Sequence, residues 1–70
     1  MKFKYFNDTK RNISIHPATY THGCTSDKSV IKPLEICTFE LPDDSYPWVK
    51  MWDHGGDNGL CILVSPQKYE

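Results

Sequence analysis

Residues 41–65 put the tightest limits on what this chain can fold into. Leu41 and Pro42 lead into a polar corner of Asp43, Asp44 and Ser45. A segment with Trp48, Val49, Met51 and Trp52 follows, then His54, Gly55 and Gly56, then Asp57, Asn58 and Gly59, then the apolar run 60–64. Prolines and Asx residues make corners, and Gly and Asn supply the positive φ that tight hairpin turns require. The stretch therefore reads as strand end, corner, strand, turn, strand.

The rest of the chain repeats that grammar. Residues 2–6 alternate Lys with aromatic side chains, and residues 12–16 place Ile13 and Ile15 on one face with Ser14 and His16 on the other. Period-two alternation marks half-buried strands. Pro17 ends the second segment because it cannot donate into a ladder, and the two segments together predict an N-terminal hairpin. Residues 18–29 lack periodicity and read as a long loop. Val30 and Ile31 form a short apolar pair, and residues 32–35 a turn. In residues 36–41, Cys37, Phe39 and Leu41 oppose Ile36, Thr38 and Glu40. Tyr46, two residues beyond Asp44, has the spacing of a tyrosine corner. The run 60–64 suits a central strand covered on both faces, and the tail from Pro66 is expected to fray. Five or six short strands at roughly ten-residue intervals predict an all-β domain, a small antiparallel β-sandwich of the Ig-like, Greek-key type.

Size bounds the core. Seventy residues make one domain, and a chain that short hides only about 60% of the surface it exposes when unfolded. Apolar residues are 39% and aromatics 13%, so aromatic rings, at roughly 150–250 Å² each, must fill much of the interior. Small domains often rely on oligomerisation, which makes a homo-oligomer one expected solution.

Charge and cysteine content exclude several classes. Eight basic residues face nine acidic ones for a net of −1, and no basic block is longer than Lys10 and Arg11. The footprint of a duplex-binding protein is missing. No stretch approaches the roughly 20 apolar residues that span a bilayer, and the N-terminus lacks the pattern of a secretory leader. Cys24, Cys37 and Cys61 are odd in number with no CxxC pair. That fits free thiols in a reducing compartment, and the expected location is cytoplasmic.

Four constellations could carry chemistry. His22, Cys24, Cys37, His54 and Cys61 offer zinc-type donors but not the short paired spacing such sites use, and no metal is expected. Cys24 with His22 or His54 could form a nucleophile and base, but nothing in the sequence orients the base. Asp43, Asp44, Asp53, Asp57 and Asn58 lack a calcium-loop register and read as turn formers. The fourth is the candidate site. Trp48, Lys50 and Trp52 share one strand face, which runs into His54, Gly55 and Gly56. Two outward indoles flanking a cation would make a stacking surface, and the Gly-Gly turn could offer N–H groups to an anion. Against this, the two indoles could simply be core. That would leave Val49 and Met51 outward, a conflict resolved if the fold buries one face and a partner subunit the other.

Residues 46–53 together with residues 62–66 resemble small uncharacterised proteins of Gram-positive bacteria and their phages. The resemblance spans under half the chain and brings no catalytic residues and no cofactor. It implies a short, intracellular accessory protein encoded by a mobile element. The expected function is a non-enzymatic protein-interaction module or inhibitor acting through Trp48, Lys50, Trp52, His54, Gly55 and Gly56. The alternative is an oligomeric protein of the counter-defence type that sequesters a nucleotide-like ligand.

Overall fold

A computed structural model describes residues 1–53 and 59–68. The described residues are all-β apart from one helical turn. In order, the elements are β1 (Lys2–Phe6), β2 (Ile13–Ile15), α1 (Ala18–Thr21), β3 (Thr25–Ser26), β4 (Val30–Ile31), β5 (Ile36–Glu40), β6 (Ser45–Asp53) and β7 (Leu60–Lys68). They make two sheets, a three-stranded one ordered β1-β5-β3 and a four-stranded one ordered β4-β2-β7-β6.

The expected N-terminal hairpin does not form. β1 pairs antiparallel with β5, while β2 joins the other sheet, antiparallel to β4 and parallel to β7. The reason lies in what the connection between β1 and β2 does. Asn7 is fully buried. Its Nδ2 donates to the carbonyls of Arg11 and Ile31, both at 2.9 Å, and its Oδ1 accepts from the Thr9 N–H and hydroxyl. Its backbone N–H donates to Glu35 and its carbonyl accepts from Leu34. A buried amide with every group paired holds one geometry firmly, and here it sends the chain from one sheet to the other. The β2–β7 pairing also makes the four-stranded sheet mixed rather than purely antiparallel.

The apolar pattern explains the core. Ile13, Ile15, Ile31, Leu60, Ile62 and Val64 from one sheet meet Cys37 and Phe39 of the other and Leu41 just beyond β5, with Cys24, and Phe3 and Tyr5 pack against them half-buried. Phe3 and Phe39 are register partners, and their rings lie 5.9 Å apart. Alternation in β1, β2 and β5 thus reports the inward face as expected.

Part of the long loop becomes structure. His16 donates its N–H to Ile62 at 2.8 Å, continuing the ladder of β2, and Pro17 then stops it. The chain turns into α1, and the buried Thr19 offers its Oγ1 to the N–H of Val64 at 3.1 Å. A side-chain oxygen thereby takes the place of the next ladder acceptor. β3 follows and edges the smaller sheet on β5.

The last two strands are longer than expected, nine residues each. β7 is central and continues through Pro66 to Lys68, so the predicted frayed tail is strand as far as residue 68. Leu60, Cys61, Ile62, Val64 and Ser65 are buried and Leu63 is half-buried, so the outer face of the run is covered less fully than the expected doubly covered strand. Pro47 lies opposite Pro66 in the β6–β7 register.

Candidate functional site

Among the described residues β6 is an edge strand, paired on one side with β7 alone. Its inward residue at the start, Ser45, is buried and donates its hydroxyl to the carbonyl of Pro42. That bond helps to hold the corner ahead of β6, and the Tyr46 side chain beyond it is 40% exposed. At the other end Arg11 grips Asp53 with two parallel bonds of 3.0 and 3.1 Å. Bidentate pairs of this kind are geometrically specific, and this one ties the end of β6 to the connection between β1 and β2.

Between these anchors the side chains alternate. Tyr46, Trp48, Lys50 and Trp52 share the outer face of the four-stranded sheet, since residues opposite one another in a sheet lie on the same side. Pro47, Val49 and Met51 share the inner face with Val64 and Ile62. Neither indole belongs to the main core cluster. Trp52 is half-buried, its ring 5.5 Å from His16 and 5.1 Å from the ammonium of Lys50. His16 accepts the Ala18 N–H at Nδ1, 3.0 Å away. With β2 and β6 flanking β7, the His16–Trp52 contact spans the outer face of β7. Trp48 is 48% exposed, and Val49 and Met51 are 40% and 37% exposed on the opposite face. The middle of β6 therefore shows apolar surface on both faces.

The backbone of β6 points to the same edge. Neither Pro47 nor Pro66 can donate, so their pairing is of the non-hydrogen-bonded type, and types alternate along an antiparallel ladder. Val49 and Met51 are then also non-hydrogen-bonded to β7 and turn their N–H and C=O groups outward. β7 agrees, because Ile62 and Val64 spend their backbone groups on His16 and Thr19 on its other side.

Trp48, Lys50 and Trp52 are thus brought to one face, as the alternation required. His54, Gly55 and Gly56 lie outside the described residues. Tyr46 and His16 also belong to that face. Tyr46 was legible as the next position in the same alternation, whereas His16 is brought there by the parallel pairing of β2 with β7, which carries no local signal.

Among the described residues the other constellations do not come together, and His54, Asp57 and Asn58 lie outside the described residues. Cys24 and Cys37 are buried, and burial pushes both thiols up, Cys37 to about 11 with help from the neighbouring Asp27 carboxylate. Such thiols stay protonated at neutral pH, whereas nucleophilic cysteines are the ones driven down. His22 is exposed while Cys24 is buried. Among the described residues, no three His, Cys, Asp or Glu side chains are grouped to hold a metal ion, and no helix is long and apolar enough to cross a membrane. Neither family models, curated proteins nor solved structures yield a match to this chain.

Proposed function

We propose that this protein is a small cytoplasmic β-sandwich that works without catalysis, as a protein-interaction module whose contact element is β6. The observation that carries the reading is an edge strand with apolar surface on both faces and outward-turned backbone groups at Val49 and Met51. A strand of that kind is a template for β-augmentation, in which main-chain bonds supply affinity and side chains on alternate faces supply selectivity. Trp48 is the anchor, since exposed aromatic residues dominate interface energetics. Lys50 and Trp52 shape the surface around it. The raised thiols of Cys24 and Cys37 favour binding over nucleophilic chemistry.

The test is capture. A Trp48→Ala, Lys50→Ala variant changes only exposed positions, so it keeps its far-UV spectrum and melts within about 1 kcal/mol of the parent. Partners that co-purify with the parent from native cells and are identified by mass spectrometry are lost from the variant. Undiminished capture by the folded variant overturns the reading.

The exposed indole of Trp48, on the same face as Lys50, favours a second reading, an oligomer that sequesters a nucleotide-like ligand. Stacking on the indole and attraction of phosphate to the ammonium would hold it. Trp52 contributes less, because His16 and Lys50 already meet its ring. Calorimetry against a panel of nucleotides tests this reading, and the absence of heat at millimolar ligand removes it.

A further inference from the structure

We infer that the occupant of the β6 edge is the β6 edge of a second copy, the two strands running antiparallel about a twofold axis through Val49. The inference rests on the reading of β6 as the contact element and names its partner.

Two features of β6 favour that register over axes at Pro47, Trp48 or Lys50. A twofold antiparallel pairing places residue 49+n opposite residue 49−n of the other copy. Axes at Pro47 or Trp48 set Pro47 near the centre, where it has no N–H to give. An axis at Lys50 stacks the two ammonium groups directly opposite each other, a like-charge pairing that destabilises a sheet. With the axis at Val49, the two Val49 residues exchange both backbone bonds, and each Met51 N–H donates to the carbonyl of the other Pro47. Pro47 cannot return a bond to the Met51 carbonyl, so each half of the interface leaves that one acceptor to water, two residues away from the axis.

Side chains agree on both faces. Lys50 lies opposite Trp48 of the other copy, in a non-hydrogen-bonded pair where side chains come closest. That contact sets a cation against an indole face, twice by symmetry. Trp52 lies opposite Tyr46, and all four positions are on the outer face. On the inner face Val49 meets Val49, and Met51 meets Pro47, which covers the apolar surface of Val49 and Met51 that the core leaves open. Every position of β6 from Ser45 to Asp53 finds a counterpart in this one register. Such a contact is isologous and closes at two copies.

Sedimentation velocity on the purified full chain provides the test. The parent sediments as a dimer that dissociates on dilution. Trp48→Lys brings two ammonium groups together across each half of the interface and weakens the dimer by roughly tenfold or more. Trp48→Glu pairs a carboxylate with the opposing Lys50 and retains dimerisation. Adding Lys50→Glu to Trp48→Lys restores it. Met51→Pro removes only an outward donor, so it leaves the far-UV spectrum intact and loses the dimer. A parent that stays monomeric at several hundred micromolar overturns the inference, as does equal weakening by Trp48→Lys and Trp48→Glu. A monomer whose β6 variants still lose a captured partner leaves the interaction reading in place and removes self-pairing alone.

Discussion

Asn7 shows how much one side chain can decide in a chain this small. Its amide and backbone bind Thr9, Arg11, Ile31, Leu34 and Glu35, which lie on three separate segments. Asn7→Ala strands the buried carbonyl of Ile31 and frees the connection between β1 and β2. The expected loss is about 2–3 kcal/mol, read as a lower urea midpoint with an unchanged slope. Nothing in the local sequence says that Asn7, between two alternating segments, will be enclosed. Cys37 is legible by contrast: its position in an alternating run predicts a buried small hydrophobe, and it is fully buried. Its thiol has a pH consequence. The folded value, about 11, lies above the ordinary 9.0, so the folded state holds its proton longer than the unfolded chain. Stability from this source is complete below pH 9 and declines as pH rises from 9 towards 11. By pH 10 the loss is on the order of 1 kcal/mol. Denaturant melts at pH 7 and pH 10 should show that fall in the parent, and a smaller one in Cys37→Ala.

At the level of elements, α1 is the piece sequence reasoning could not reach. Ala18–Thr21 is four residues long, too short to show a helical period. Its purpose is tertiary: it swings the Thr19 hydroxyl into the gap where β2 stops short of Val64. Thr19→Val keeps the shape and removes the acceptor. Leaving a buried N–H unpaired costs roughly 1–3 kcal/mol, and amide exchange at Val64 should quicken well beyond that at Phe39 in the other sheet. Thr19→Ser retains the oxygen and most of the protection. The faces of β6 were legible because alternation fixes which residues share a side. Whether Trp48 and Trp52 were core or surface was not, since both faces of an edge strand can carry apolar residues. Placement of β6 at the sheet edge, with Trp48 open and Trp52 lying against His16, decides it.

For the whole molecule, the all-β class follows from two-residue periodicity, whereas the strand order follows from distant partners. Ile13 sits beside Leu60, and Lys2 beside Glu40. Neither pairing leaves a trace in its own neighbourhood of the chain, and an N-terminal hairpin was the economical local guess. Topology of this kind slows folding, because loop closure must come before the contacts that reward it. Stopped-flow refolding should give a main phase of milliseconds to seconds despite the small size. Substitutions such as Ile13→Val, at the junction of β4, β2 and β7, should slow folding more than Val49→Ala on the open edge.

The facing prolines of β6 and β7 have a consequence for errors during folding. Sliding either strand by one residue turns it half a revolution about its own axis. A pyrrolidine nitrogen would then occupy a rung where the neighbouring carbonyl needs a donor, while Val49 and Met51 changed sides. The hairpin therefore carries its own alignment mark, and slipped pairings, the usual start of runaway strand stacking, are disfavoured before the rest of the sheet arrives.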